Sequence, residues 1–357
     1  MASEPRPVEN SAMPPRHLDE EKFPEVLVER DRIVSGGLLP DQIPAIDEPQ
    51  FAPAHDIDWL GDDEAVLVLQ TGSEVRAYPV QVLMWHEIVN DVVDGVPVAV
   101  TYCPLCNSGI AFDRRVDGRV LDFGTSGTLY QSALVMYDRQ TESLWTHFDG
   151  RAVVGTLVGA VLGPMLLSTV GWRDFLDAHP DAPVLTRDTG YGRSYGRNPY
   201  VSYDTIEKPL TGYYSGDVDD RLAPMTRVVG IHSGSDPVAV ELSELRERGV
   251  IEVVVDGRPV TVWHRPGLAS SLDAVQVADG DDVGAVGAFV GETDAGPVTF
   301  RRNDAGDFVD DQTGSTWNIL GEAIDGAATG DRLQPVTHVD TFWFAWSTYR
   351  PATSLAE

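Results

Sequence analysis

Lysine and cysteine are both nearly absent from this chain. Of 26 basic residues only Lys22 and Lys208 are lysines, whereas Asp and Glu number 56, so the net charge is −30 at pH 7. The carboxylates are spread along the chain and are not collected in a tail. This composition is typical of a halophilic proteome, although GC-rich coding also favours Arg over Lys. A uniformly negative surface repels phosphate, so we expect no nucleic-acid partner.

Long apolar runs are absent too. No stretch of about 20 apolar residues occurs, so we expect no membrane span. The first residues, MASEPRPVENSAMPPRHLDEEKF, have neither a hydrophobic core nor a twin-arginine motif, which predicts a disordered or extended lead-in over 1–54 instead of a signal peptide. Hydrophobic residues make up 42% of the chain, which is enough for a packed core. We therefore expect a folded cytoplasmic protein.

What the chain does contain is an internal repeat. GSEVRAYPVQVL, from Gly72, aligns with GSDPVAVELSEL, from Gly234, and VVDGVPVAV aligns with VVDGRPVTV at the same offset of 162. YDRQTESLW aligns with VDDQTGSTW at an offset of 172. Matching blocks in one order predict a duplicated unit. The predicted parts are the lead-in at 1–54, a first copy at 55–180, a Tyr/Arg-rich bridge at 181–227 and a degenerate second copy at 228–353.

Short, alternating, β-branched runs predict a β-rich α+β fold. We expect short helices packed on mainly antiparallel sheets, with internal pseudo-symmetry between the two copies. The pairs Asp94–Gly95 and Asp117–Gly118 predict tight hairpin turns. The apolar spacing over Val80–Val89 predicts a helix, and GWRDFLDAHP predicts a second helix that stops at Pro180.

Three segments of the first copy have no equivalent in the second. MWHEIVND faces RERGVIEV, YCPLCNSG faces HRPGLASS, and FGTSGTLYQSALVMYDR has no clear counterpart. Features that both copies share are expected to be scaffold, whereas features of one copy are candidates for function. We therefore place the site in the first copy. The predicted pocket-lining residues are Trp85, Asn90, Asp91, Gly124, Ser126 and Tyr130.

Both cysteines of the chain, Cys103 and Cys106, lie three positions apart in VTYCPLCNSGIAF. Cys-Pro-x-Cys is typical of a metal knuckle, and Asn107 is well suited to the left-handed residue that ends such a turn. A closed zinc site needs four ligands, and a second cysteine pair is missing. A Cys/His/Met set suits a soft ion, so the predicted cofactor is copper or zinc. The candidates for the remaining ligands are His86, His147 and Met136.

Three other interpretations of this turn remain open. Cys103 is a candidate catalytic nucleophile, with His86 as its base and Asn90 or Asp91 orienting the imidazole. A redox dithiol is the second, although NSGIAFDRR predicts a turn and a strand instead of the helix that lowers a thiol pKa in thioredoxin-like proteins. The third is a structural turn in a non-catalytic binding or scaffold module. The partner is an unidentified small molecule or metal ion, and nothing in the sequence indicates the oligomeric state.

The bridge carries an unusual alternation of tyrosine and arginine. Its sequence TGYGRSYGRNPYVSYD places four tyrosines around two arginines in a very acidic chain. We expect these side chains to pack the bridge between the two copies. A lid over an acidic ligand is the alternative.

Together these motifs resemble the domain-of-unknown-function 3179 family of bacterial and archaeal proteins. The resemblance rests on WHEIVND, DGVPVAVTYCPLCNSGIAFDR and FGTSGTLYQSALVMYDRQTESLW, and it extends over about 55 to 350. It implies no particular reaction. Many relatives carry Thr at the position of Cys106 and keep the cysteine of Cys103, which implies that Cys103 is the more important sulfur. Relatives are often exported or lipid-anchored, in contrast to the cytoplasmic location expected here.

Overall fold

The computed structural model of the protein describes residues 26–210, 212–214, 216, 219–232, 236–293 and 296–356. Strands account for 42% of the residues and helices for 12%, and the sheets are mostly antiparallel. The predicted β-rich class is therefore confirmed. The helices of this part of the chain are short. They are α1 (Val80–Leu83), α2 (Trp172–Ala178), α3 (Leu242–Arg248) and α4 (Trp343–Tyr349).

The first half of the fold, up to residue 185, forms three larger sheets. Their strand orders are β14-β7-β6-β5, β1-β10-β11-β12-β13 and β15-β3-β4-β16-β2. The strands are β1 (Ile33–Ser35), β2 (Phe51–Pro53), β3 (Ala65–Thr71), β4 (Glu74–Pro79), β5 (Ile88–Val93), β6 (Val96–Cys103), β7 (Ser108–Asp113), β8 (Arg115–Val116), β9 (Arg119–Val120), β10 (Phe123–Tyr130), β11 (Ala133–Asp138), β12 (Leu144–Thr146), β13 (Ala152–Val154), β14 (Gly163–Met165), β15 (Leu167–Gly171) and β16 (Pro183–Leu185).

The second half, from residue 227, forms sheets ordered β28-β17-β18-β29, β19-β20-β21 and β24-β25-β26-β27. Helices α3 and α4 follow β18 and β28, just as α1 and α2 follow β4 and β15. The strands are β17 (Arg227–Ile231), β18 (Val238–Glu241), β19 (Val250–Val255), β20 (Arg258–Arg265), β21 (Ala285–Val290), β22 (Glu292–Thr293), β23 (Gly296–Pro297), β24 (Phe300–Arg302), β25 (Phe308–Asp310), β26 (Thr316–Trp317), β27 (Ala323–Asp325), β28 (His338–Phe342) and β29 (Ser354–Leu355).

Two hairpins turn at the predicted Asp-Gly pairs. Asp94 and Gly95 have φ angles of 48° and 74°, and Asp117 and Gly118 have φ angles of 49° and 75°. Two successive left-handed residues are what a two-residue hairpin turn requires, since their twist matches that of the strands. The turns between β5 and β6 and between β8 and β9 are therefore confirmed.

The helix predicted over Val80–Val89 is wrong in its length. Helix α1 ends at Leu83, and β5 already begins at Ile88. Glu87 has a φ of 59°, so the chain reverses there and returns to pair with β6. The second predicted helix is confirmed, since α2 ends at Ala178, two residues before Pro180.

Part of the predicted lead-in takes part in the sheets. Strand β1 pairs with β10 and strand β2 pairs with β16, both antiparallel. Residues 1–25, on which the rest of that prediction falls, lie outside the described residues.

One main hydrophobic core runs through both halves. It contains Phe112 and Trp145 from the first half and Trp263, Trp317 and Trp343 from the second. Burial of large aromatic side chains is the main source of stability in such a core. The two halves are thus packed on each other, and segments of the second half reach the cysteine turn of the first.

Candidate functional site

The cysteine turn, residues Cys103–Asn107, follows directly from the central strand β6. Cys103 is the last residue of β6, and Pro104–Cys106 form one turn of 3-10 helix. The turn ends at Asn107, whose φ of 48° and ψ of 50° are left-handed, as predicted. Cys103 is 2% exposed, Cys106 is fully buried, and both are free thiols in hydrogen-bonding contact with each other.

A chain of hydrogen bonds leads away from Cys106. Its Sγ lies 3.2 Å from Ser108 Oγ, which lies 2.8 Å from His147 Nε2. His147 Nδ1 lies 3.2 Å from Thr101 Oγ1, and Thr101 donates to the carbonyl of Ile110 at 2.7 Å. We call Cys106, Ser108, His147 and Thr101 the thiol–imidazole chain.

The last bond of the thiol–imidazole chain sets the direction of the others. Because the single proton of Thr101 goes to Ile110, Thr101 Oγ1 accepts from His147, so Nδ1 carries the imidazole proton. Nε2 then accepts from the Ser108 hydroxyl, which in turn is free to accept from the Cys106 thiol. Every donor of this buried chain has an acceptor, and its imidazole is neutral.

Burial keeps the ionisable groups of this region neutral at pH 7. Burial raises the pKa of the Cys106 thiol well above its usual range, and the adjacent Cys103 thiol raises it further. Burial lowers the pKa of His147 to about 3 and raises the pKa of the nearby Glu87 carboxyl to about 8. The Cys106 thiol and the His147 imidazole are therefore both neutral, and they do not form a thiolate–imidazolium pair.

Segments from beyond residue 200 hold the cysteine turn in place. The Tyr203 hydroxyl, from the bridge, donates to the Leu105 carbonyl at 2.9 Å. Thr341, on β28 of the second half, donates to the Cys106 carbonyl at 2.7 Å. Tyr203 and Thr341 thus bind two successive carbonyls and fix the turn from two sides, while packing of the whole bridge between two copies stays a prediction.

His86, the predicted base, lies in the turn between α1 and β5. Its Nδ1 lies 2.7 Å from the carbonyl of Pro44, and its Nε2 lies 2.7 Å from the hydroxyl of Tyr195. The ring also packs against Tyr191, with centroids 5.5 Å apart. Both ring nitrogens of His86 are therefore hydrogen-bonded to Pro44 and Tyr195. The imidazole that is linked to Cys106, through Ser108, is that of His147.

Asn90 and Asp91, the predicted orienting residues, cross-link β5 to its neighbours. The Asn90 amide donates to the carbonyl of Phe123 at 2.8 Å and accepts from the Phe123 N–H at 3.0 Å. Asp91 accepts from the Arg76 guanidinium and, at 2.7 Å, from the Tyr78 hydroxyl. These contacts are those of structural residues, and a role in lining a pocket stays a prediction for both.

The other predicted residues lie on the β10–β11 hairpin or just after α1. A Cβ at Gly124 would lie 2.7 Å from the ring of Tyr137, so glycine is needed there for packing. The Ser126 hydroxyl donates to the Val135 carbonyl at 2.5 Å. Their roles in lining or ligation also stay predictions. The residues of this group are Trp85, Gly124, Ser126, Tyr130 and Met136.

Residues 40–353 match the model of the family described as "Protein of unknown function (DUF3179)". The chain belongs to this family. The assignment made from the motifs of the first copy is thereby confirmed, and it extends over nearly the whole chain. No curated protein and no solved structure shows a significant match. Within the described residues of this DUF3179 member, no helix has the length and apolar character that crossing a membrane requires.

The sulfurs of Cys103 and Cys106 are adjacent in this DUF3179 member, and they are the two candidate ligands for a soft metal ion. His147 reaches them only through Ser108, and His86 is engaged elsewhere. Within the described ranges, no three or more His, Cys, Asp or Glu side chains are grouped so that they could hold a metal ion. A copper or zinc ion held by Cys103 and Cys106 stays a prediction.

Sequence reasoning missed Thr101, Ser108 and Glu87. Thr101 and Cys103 are two residues apart on β6, so they share one face, and Cys103 pairs with Ser108 in the register of β6 and β7. The two-residue period of a strand could therefore have identified Thr101, and the pairing expected across the turn could have identified Ser108. Glu87 lies close enough to Cys106 to affect its pKa, but no local pattern marks that proximity.

Proposed function

We propose that this chain is a thiol-dependent protein whose working groups are Cys103 and Cys106, with His147 as the imidazole bonded to them through Ser108. The observation that carries this proposal is the fully oriented thiol–imidazole chain, which ends on a pair of free thiols in mutual contact. A purely structural turn does not need two sulfurs and a buried imidazole, because each polar group must be satisfied to avoid a desolvation cost.

In this proposal Cys103 is the nucleophile and Cys106 is its partner. The Leu134 backbone N–H, at 3.4 Å from Sγ, is placed to stabilise a thiolate at Cys103. The Cys106 thiol is in contact with the same sulfur and becomes a second donor when its proton turns from Ser108 to Cys103. Ser108 and His147 hold Cys106 in position. This division of roles agrees with the greater importance that the family resemblance implies for Cys103.

The proposal also includes the duplicated organisation, with copies at 55–180 and 228–353, the bridge at 181–227 and the lead-in at 1–54. Strands β6 and β20 have equal length and begin 162 residues apart, as do β5 and β19. In this arrangement the second copy supports the cysteine turn, through Thr341, without carrying sulfur. Free, adjacent thiols persist in a reducing compartment, which supports a cytoplasmic location.

Alkylation kinetics test the proposal. Intact-mass measurements with iodoacetamide should show one fast label at Cys103 in the wild type and in Cys106→Ser, and a rate at least tenfold lower in Cys103→Ser. His147→Gln should change the rate at Cys103 more than threefold, whereas His86→Gln should leave it within twofold.

A global-unfolding control distinguishes a site from a buried turn. If Cys103 is labelled only at the rate at which the whole protein unfolds in urea, the thiols are structural and the proposal is wrong. Stoichiometric copper or zinc in protein purified without chelator, lost in Cys103→Ser, would instead favour the two-sulfur metal site.

A further inference from the structure

A cleft of about 590 Å³ lies between the two halves of the fold, apart from the cysteine turn. Its walls come from β7, β14 and the loop around Phe148 on one side, and from β17, β28 and α4 on the other. Cavities of 300–1,000 Å³ that lie between two packed units are typical small-molecule sites. None of the groups assigned to the thiol–imidazole chain lines this cleft.

The body of the cleft is apolar and is formed largely by packed aromatic rings. Phe148 and Tyr349 stack with ring centroids 4.8 Å apart and an interplanar angle of 19°. Met165 and Trp346 extend this surface, and Trp346 is fixed because its indole fills the space where a Cβ at residue Gly230 would lie. Such a surface suits a flat ring or a short acyl chain.

The polar lining of the cleft is positive, in contrast to the chain as a whole. Arg151 and Arg350 line it together with one carboxylate, Asp149. Arg350 pairs with Asp149, but its Nε–H is buried and has no partner in the described part of the chain, and the same is true of Nδ1 of His232. Arg151 is exposed and makes no ion pair with any described residue. One uncompensated guanidinium thus lines the cleft of a protein with net charge −30, and three of the lining residues, Arg350, His232 and His338, each carry a buried polar atom without a partner among the described residues.

We propose that this cleft binds a monocarboxylate with an apolar body. The carboxylate pairs with the exposed Arg151, with Arg350 adding positive charge to the same wall, while the body lies on the stacked rings of Phe148 and Tyr349. A single excess positive charge matches a single negative charge. A phosphate dianion would need further cations, which the strongly acidic surface does not supply.

Saturation-transfer NMR tests this proposal with sodium 3-phenylpropanoate, sodium octanoate and the neutral 3-phenylpropanamide. Both carboxylates should receive saturation from the aromatic protons of the protein, and the amide should bind more weakly. Arg151→Gln should lower the affinity for the carboxylates about three- to tenfold and leave the amide unchanged, because only the charge-assisted bond is lost. Val161→Trp, at a 51% exposed position that lines the cleft, should fill the opening and abolish binding of all three.

Matched controls lie on the β8–β9 hairpin, outside the cleft. Arg119→Gln removes an exposed arginine, and Val120→Trp enlarges a valine that is 47% exposed; both variants should bind like the wild type. Binding should also persist in Cys103→Ser, which separates this proposal from the thiol chemistry. The proposal is overturned if neither carboxylate shows saturation transfer, if Arg151→Gln binds as tightly as Arg119→Gln, or if Val161→Trp binds as well as Val120→Trp.

Discussion

The turn after β6 and the turn after β20 follow strands of equal length but bury very different side chains. At the offsets of the proposed internal repeat, the three positions of the thiol–imidazole chain that differ between the halves are apolar and at most 3% exposed in the second half. Those pairs are Thr101 and Trp263, Cys106 and Leu268, and His147 and Ile319. The same strands are thus formed with an apolar interior, so the polar chain of the first half is not required for the fold. Chemistry explains its presence better than shape does.

A second pair of regions, by contrast, is nearly identical in its bonding. In the first half the Asp138 carboxylate accepts from the Trp145 indole at 2.9 Å and from the Thr141 hydroxyl at 2.8 Å. In the second half the carboxylate of Asp310 makes the equivalent bonds at 3.0 Å and 2.8 Å, to the residues Trp317 and Thr313. Regions that the two halves share are therefore scaffold, and the following experiments test that distinction.

The largest loss of stability is expected for Asp138→Ala and Asp310→Ala. Each substitution removes the carboxylate that accepts from an indole N–H, a threonine hydroxyl and one backbone N–H at Asp138 or two at Asp310, and should lower the free energy of unfolding by about 4 kcal/mol. Urea unfolding followed by circular dichroism measures both variants against the wild type. A large effect in one half and none in the other would contradict the view that these turns have one shared structural role.

Much of this scaffold could be predicted from the sequence, because its signals are local. Asp-Gly turns, alternating strands and the helix before Pro180 all depend on residues close together in the chain. The length of α1 could not be predicted from the first half alone, since Glu87 takes a left-handed conformation, with φ of 59°, that glutamate does not signal. The second half does signal it: Gly249, at the equivalent position, has φ of 77° and ends α3.

The candidate site was only partly predictable, for a different reason. Cys103 and Cys106 were recognised from their spacing, and Asn107 was recognised as a left-handed residue. The bond between Ser108, on β7, and His147, in the turn after β12, joins residues 39 positions apart, and the bonds from Tyr203 and Thr341 span still more of the chain. Only the packing of the halves brings these groups together, and no short motif records it.

A pH-dependent loss of stability is expected from Glu87, where the second half has glycine. The carboxyl pKa is about 8 in the folded state and near 4.5 when unfolded, so the folded state holds a proton that the unfolded state releases. The stability contributed by this group is therefore lost as the pH rises from about 4.5 to about 8, by on the order of 4 kcal/mol.

Glu87→Gln should remove this dependence. The variant should gain stability over the wild type as the pH rises from 5 to 8, in urea unfolding at constant salt. Glu252→Gln, at an exposed position of β19, is the control and should follow the wild-type profile. Parallel profiles for Glu87→Gln and the wild type would show that Glu87 is ionised in the folded protein.

The smallest effects are expected from substitutions at His147 and at Ile319, the position 172 residues further along the chain. Ile319→His places an imidazole at a 2% exposed site with no Thr at the position equivalent to Thr101, and should cost about 2 kcal/mol at pH 7. His147→Leu should cost only about 1 kcal/mol, because Thr101 keeps its bond to Ile110 and the Ser108 hydroxyl keeps its contact with Cys106.

The stabilities of the His147→Leu and Ile319→His variants should differ further at acid pH. The pKa of His147 is about 3 in the folded state and near 6.5 when unfolded, so the unfolded state takes up a proton first, and stability is lost as the pH falls below about 6.5. His147→Leu lacks this loss and should gain on the wild type by about 2 kcal/mol between pH 7 and pH 5, whereas Ile319→His should lose more than the wild type. If both variants keep a constant difference from the wild type over this range, the buried imidazole of His147 is not held neutral, and the direction assigned to the thiol–imidazole chain is wrong.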